Sequence, residues 1–323
     1  MKCLVSKLYR GRTLEMLRNI LKLLFILINF QIHALSWQTL LGIDFNFIDK
    51  VIYGLDNRVA IEKAPTFWQD RASNVGALIR SNKLKGAQAL VSQNNGETNS
   101  LCRDEKFYRE PVISECSGFL IAPDTLVTAG HCYRGMDYPY ANDEQAVCND
   151  FVWSFDYTEV EFDSKRRVNV KEVYRCKEVV KVEFDFASDF AVIKLERPVS
   201  GRVGLKTTDL STQGSLTLIG HPGGLPKKIS SGGNILKEEP GSNIIYGAIN
   251  SFHGSSGSPV FNEAGEVLGL VISGKEDYYF DRKQFCQRIN TCSFDGKSCA
   301  AGNDGFDGEG IFKISKVIEA LSN

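Results

Sequence analysis

From Pro111 onward the chain is cut into short apolar or alternating runs, each closed by Gly, Pro, Asn or Asp within a few residues. The runs are 118–121, 125–129, 151–162, 168–184, 190–195, 215–219, 243–249, 258–261, 267–273 and 310–314. Most are too short for a helix, which needs about 10 residues to be worth forming, and about ten strands separated by turns predict an all-β sandwich or barrel. One exception is expected at the end, a short C-terminal helix starting at Ser315, whose hydroxyl can cap its first turn, and running through Leu321. Before Thr98 the strand periodicity is weak, and Ser73 to Ile79 reads as compatible with a helix. Residues 275–309 are polar, Gly-rich and hold three cysteines, which predicts a surface insertion stapled by disulfides.

The N-terminus has a different character. Lys2, Lys7, Arg10, Arg12, Arg18 and Lys22 face only Glu15, and an apolar stretch follows from Leu23 to Ile28, extended with interruptions to Ile32. That stretch is short of the roughly 20 residues that span a bilayer. Basic flank, apolar core and the small residues Ala34 and Ser36 come in the order of a signal peptide, so cleavage is expected after Ser36. The formal net charge is -1 and the leader is basic, so the body is mildly acidic. No global positive field recruits nucleic acid or an anionic membrane.

Of the nine cysteines, Cys3 leaves with the leader. Cys102, Cys116, Cys132, Cys148, Cys176, Cys286, Cys292 and Cys299 remain, an even set with no CxxC pair, in a chain bound for an oxidising compartment. They are expected to form disulfides, with metal ligation the weaker reading because only His131, His221 and His253 remain to complete a site.

Three segments carry chemistry. In Gly254-Ser255-Ser256-Gly257-Ser258-Pro259 a serine sits between glycines. A serine hydroxyl attacks only if a tight turn presents it beside a base, with N–H donors aimed at the oxyanion that forms. The N–H groups of Gly254 and Ser256 would converge as that oxyanion hole. In Cys116 to Cys132 a strand, a turn at Pro123-Asp124 and a second strand bring the ends together, so a Cys116–Cys132 bridge would clamp His131 as a general base. In Asp189-Phe190-Ala191-Val192-Ile193-Lys194-Leu195 an acid precedes an apolar strand, placed to accept the second N–H of that base and fix its tautomer, with Asp185 as the nearby rival. Each segment alone has a plainer reading: a surface loop, a packing histidine, a turn residue.

Taken in the order His131, Asp189, Ser256, these segments resemble the trypsin/chymotrypsin-like serine peptidases over about residues 111–323. The sequence looks closest to the bacterial branch that includes the glutamyl endopeptidases, from Gly257-Ser258-Pro259-Val260-Phe261-Asn262, Gly220-His221-Pro222-Gly223-Gly224 and Val51 to Arg58. The resemblance implies two six-stranded antiparallel β-barrels with the active site in the cleft between them. With the signal peptide at 1–36, the expected layout is an N-terminal arm or prosegment at 37–75, a first barrel at 76–200 with His131 and Asp189, and a second at 201–323 with Ser256 and the Cys-rich insertion at 275–309. The resemblance also places a bridge at Cys116–Cys132 and makes Lys50-Val51 a maturation site; Cys148–Cys176 is a further expected pair, and Cys102, Cys286, Cys292 and Cys299 are expected to share two bridges of open connectivity. Where the animal digestive members carry an Asp before the nucleophile this chain has Ser255, and where glutamyl-specific members carry a pocket His it has Val271.

By the same resemblance Asn250 and Ser251 form the floor of the specificity pocket, Val271 to Gly274 one wall and Gly310 the other, with His253 at the cleft mouth. These neutral residues predict a preference for uncharged, medium to large side chains before the scissile bond, unless Glu309 or Asp307 brings a carboxylate into the pocket. The chain is thus expected to be a secreted serine endopeptidase, periplasmic or extracellular, and a monomer. Its partners would be protein or peptide substrates, with no nucleic acid, no membrane anchor after signal cleavage, no cofactor and no metal. The alternative is a non-catalytic homologue serving as a binding or adhesion module, which loss of a triad residue would favour. The run Asn303 to Glu309 has oxygen ligands and glycines but not the spacing of a calcium hand, so a solvated turn is expected there.

Overall fold

The computed structural model describes residues 51–134, 143–209, 214–302 and 307–322. The leader at 1–36 and the heart of the candidate calcium run at 303–306 lie outside them. Twelve strands form two closed antiparallel barrels. The first holds β1 (Val75–Arg80), β2 (Ser114–Ala122), β3 (Thr125–Thr128), β4 (Phe151–Ser154), β5 (Tyr174–Phe184) and β6 (Asp189–Leu195), hydrogen-bonded in the circular order β5-β6-β3-β2-β1-β4. The second holds β7 (Leu216–Gly220), β8 (Lys228–Glu238), β9 (Ile244–Ala248), β10 (Pro259–Phe261), β11 (Val267–Ser273) and β12 (Glu309–Lys313), in the order β7-β10-β11-β12-β9-β8, closed by β7 on β8.

Closure removes sheet edges and buries one face of every strand. Trp153 of β4 fills the first barrel, fully buried, with its indole N–H on Tyr133 Oη at 3.2 Å. Gly118 of β2 lies beneath it, where a Cβ would come within 2.8 Å of the indole, so this strand position has room only for glycine. One buried cluster runs from Phe119, Leu126 and Ile193 of the first barrel to Phe261, Leu270 and Phe312 of the second, so the barrels share a continuous core.

Two local readings are corrected. Residues 73–79 are not helical: Val75–Arg80 is β1, buried at every position but the last and paired on both sides, where a continuous apolar run satisfies a strand as well as a helix. The terminal helix runs Ile314–Ser322 directly out of β12, so Ser315 lies within its first turn rather than capping it.

The segment expected as an arm or prosegment packs, from residue 51 onward, against the body. Ile52–Tyr53 pairs in parallel with Thr291–Cys292, and Val59–Ala60 pairs with β8. Within the segment 275–309, the described residues include a hairpin of Tyr278–Asp281 and Cys286–Ile289. Disulfides join Cys102 to Cys286, Cys116 to Cys132, Cys148 to Cys176 and Cys292 to Cys299. The first ties the insertion to the connection between β1 and β2 of the first barrel. Among the described residues no helix is long and apolar enough to cross a membrane.

Candidate active site

Gly130 lets β3 turn into the short helix His131–Arg134 hard against β6, since a Cβ there would come within 2.9 Å of Phe190 N and 3.0 Å of Phe190 O. The turn places His131 over Asp189, the first residue of β6. The carboxylate grips the histidine twice: Oδ1 accepts the backbone N–H of His131 at 2.9 Å, and Oδ2 lies 2.8 Å from Nδ1. Both residues are 7% exposed, so the pair works in a poorly hydrated setting where such contacts are strong. Nε2 is buried with no hydrogen-bond partner among the described residues. A carboxylate on Nδ1 keeps the ring proton there and leaves the Nε2 lone pair for another proton. Asp185 serves a different purpose, accepting the N–H groups of Ala187 at 2.8 Å and Ser188 at 2.9 Å in an exposed turn.

The Cys116–Cys132 bridge anchors that helix to β2. The sulfurs and a His131 nitrogen lie within 4.8 Å of one another, which is metal-ligand spacing, but both sulfurs are bonded to each other and are not available as thiolates.

Ser256 lies on a turn between Gly254 and Gly257, both with positive φ (79° and 81°). Neither could carry a side chain: a Cβ on Gly254 would stand 2.7 Å from His221 O, and one on Gly257 would overlap Ser117 O and Thr128 Oγ1. The turn is held from within by Ser255 N–H on Phe252 O and Ser258 N–H on Ser255 O, both 2.8 Å, and the Ser255 hydroxyl accepts Phe252 N–H at 3.2 Å. It is held from the first barrel by Ser117, whose N–H donates to Ser256 O and whose hydroxyl donates to Gly254 O, both at 2.8 Å. Cys132 Sγ lies 4.0 Å from the same Ser256 carbonyl, which brings the serine's backbone beside the residue that follows His131. The three segments singled out in the sequence thus meet where the barrels touch, joined by a residue, Ser117, that carried no sequence signal beyond lying next to Cys116.

The expected pocket residues have varied surroundings. The Asn250 amide is engaged by the N-terminal segment: Oδ1 accepts Tyr53 N–H at 2.7 Å, and Nδ2 donates to Leu55 O at 3.2 Å and Asn57 Oδ1 at 3.0 Å. Val51 O accepts the N–H of Ser251 at 3.2 Å, while Lys50 lies outside the described residues. Val271 is fully buried in the second barrel's cluster with Leu218, Ile249, Val260 and Ile311, and its carbonyl accepts Gly257 N–H at 2.7 Å. Gly310 pairs with Ser273, the residue before Gly274, and a Cβ on Gly310 would overlap the Ser273 hydroxyl. Of the two candidate acids, Asp307 bonds Lys237 at the surface, whereas Glu309 is fully buried and accepts the Ser251 hydroxyl and, at 3.3 Å, the Lys275 N–H.

The other two histidines differ from His131. His221 is fully buried, stacked on Tyr157 at 5.6 Å with Nδ1 3.0 Å from Leu225 O, and burial holds its pKa well below the usual imidazole range, so it packs as a neutral ring. His253 has Nδ1 2.7 Å from Asp277 Oδ2, with its backbone N–H on the same oxygen at 3.0 Å. Asp277, in the insertion, is a residue sequence reasoning did not single out.

Residues 116–270 match the trypsin-like peptidase domain family. No curated protein matches the chain. Among solved structures, a Glu endopeptidase in complex with MPD is 17% identical with a TM-score of 0.45, covering 84% of this chain and 100% of that one. The active form of the Rv3671c protease from M. tuberculosis is 13% identical with a TM-score of 0.43, covering 85% of this chain and 89% of that one.

Proposed function

We propose that this chain, whose residues 116–270 match the trypsin-like peptidase domain family and whose strands form two barrels, is an exported serine endopeptidase that cleaves peptide bonds through an acyl-enzyme on Ser256. The observation that carries the reading is the double grip of Asp189 on His131, with Nε2 left unpartnered among the described residues.

In this reading His131 Nε2 takes the hydroxyl proton as Ser256 Oγ attacks the carbonyl carbon of the scissile bond. Asp189 holds the imidazolium that results and does not itself take the proton. The N–H groups of Gly254 and Ser256 stabilise the oxyanion of the tetrahedral intermediate, and the positive φ at Gly254 supports that orientation. His131 then returns the proton to the departing amine, and water repeats the sequence on the acyl-enzyme. Export is supported by the basic-then-apolar leader and by four disulfides, which persist where thiols are not kept reduced.

The test is hydrolysis of a quenched-fluorescent peptide library by the purified protein and by Ser256→Ala. The reading expects turnover that falls by several orders of magnitude in the variant; a folded Ser256→Ala protein that cleaves at the original rate contradicts it.

A further inference from the structure

The insertion builds a second histidine–carboxylate pair beside the serine turn. His253 lies three residues before Ser256, and its carbonyl accepts Gly223 N–H at 2.6 Å, so its backbone is fixed relative to the turn. Asp277 is 4% exposed and holds both the backbone N–H and Nδ1 of His253, while the imidazole side chain is 37% exposed. With Nδ1 committed, Nε2 is the nitrogen left to meet whatever enters the space in front of it.

That space is a cavity of about 670 Å³, whose walls include His253, Glu276, Asp277, Tyr278, Tyr279 and Gln287. Among the described residues no Lys or Arg lines it, and two carboxylates do. Of the cations on adjoining segments, Arg288 donates to Asp104 and Glu105, each at 2.9 Å, Arg58 is bidentate on Asp56, and Lys275 is fully buried and not on the wall. The hairpin carrying Tyr278, Tyr279 and Gln287 is tied down by Cys102–Cys286, so the wall is in place before anything binds.

We infer that this cavity is a substrate subsite taking a basic side chain, lysine or arginine, at a position flanking the scissile bond. The inference rests on the peptidase reading above. Glu276 supplies the charge, and the tyrosine rings cover the aliphatic stem or stack on a guanidinium. A substrate carboxylate in the same place would face two acids, so the cavity selects by repulsion as well as attraction.

The test uses the full-length Ser256→Ala protein and fluorescein-labelled octapeptides that differ at one position, where Lys, Arg, Ala or Glu is walked along an alanine-rich frame. Anisotropy is expected to show one position at which Lys and Arg bind about tenfold tighter than Ala, with Glu weakest. Glu276→Gln should bring the Lys-to-Ala ratio towards one, and Glu276→Lys should reverse the order of Lys and Glu. Binding indifferent to charge at every position, no measurable binding of the Lys peptides, or a preference that survives Glu276→Lys overturns the subsite. Because the readout is binding, a failure of the unmodified protein to hydrolyse peptides contradicts the peptidase reading and leaves this measurement to decide the subsite by itself.

Discussion

Ser117 of the first barrel donates its backbone N–H to the carbonyl of Ser256 in the second at 2.8 Å. The same residue's hydroxyl donates to Gly254 O and accepts His221 N–H at 2.9 Å, so one fully buried serine fixes both ends of the turn and the loop behind it. Ser117→Ala keeps the first bond and removes the other two, leaving a buried N–H and a buried carbonyl without these partners. The expected cost is about 1–3 kcal/mol, read from denaturant midpoints, together with a clear loss of peptidase turnover as the turn relaxes. A variant as stable and as active as the parent would show that the turn is positioned by other contacts.

Asp189 and Asp185 stand four residues apart with different partners, which makes their isosteric variants a sharp comparison. Asp189→Asn preserves shape but offers an N–H or a weaker acceptor to Nδ1, so turnover should fall by roughly 10⁴ with little change in KM. Asp185→Asn disturbs only an exposed turn and should stay within about threefold of the parent, since surface substitutions away from special features are close to neutral. Steady-state kinetics on both variants checks the ranking, and the reverse order would move the orienting role to Asp185.

The fold and the site were legible to different depths, and the reasons are physical. Ten of the twelve barrel strands overlap apolar runs between turn residues, because burial and turn chemistry both write themselves into residue type. β1 is compatible with a helix in the sequence alone because a strand buried on both faces loses its alternation. β8, with two lysines and two glycines in Lys228–Glu238, has no regular apolar pattern; its conformation comes from pairing with β7 and β9. His131, Asp189 and Ser256 stood out because each sits in a segment with its own local constraints. Ser117 and Asp277 did not, since their roles exist only once distant segments meet, and neither leaves a mark on its sequence neighbours.

Lys227 sets a pH dependence of stability. It is buried between the barrels with its amine donating to Ala72 O at 2.8 Å and Phe155 O at 2.6 Å, and burial lowers its pKa from 10.5 to about 7. Between those values the unfolded chain binds a proton that the folded chain does not, so stability rises with pH, by up to about 1.4 kcal/mol per unit from this group. The stabilisation is complete above 10.5 and is lost as pH falls to about 7. Lys227→Met should flatten the dependence of the urea midpoint on pH across this window; an unchanged slope would place the proton uptake elsewhere.

Non-reducing peptide mapping should recover Cys102–Cys286, Cys116–Cys132, Cys148–Cys176 and Cys292–Cys299. Cys102–Cys286 has the longest span, 184 residues, and closes the wall of the His253 cavity, so removing it should cost about 2–5 kcal/mol and loosen substrate selection. Recovery of Cys116 joined to any cysteine but Cys132 would contradict the clamp on His131.

The most direct measurement of the central claim is covalent labelling of the mature protein by a fluorophosphonate, followed by digestion and mass spectrometry of the modified peptide. A serine activated by His131 and Asp189 reacts where other serines do not. The expected result is one adduct, on Ser256, abolished in His131→Ala; labelling at a different serine, or no labelling of the folded protein, would contradict the assignment of Ser256 as the nucleophile.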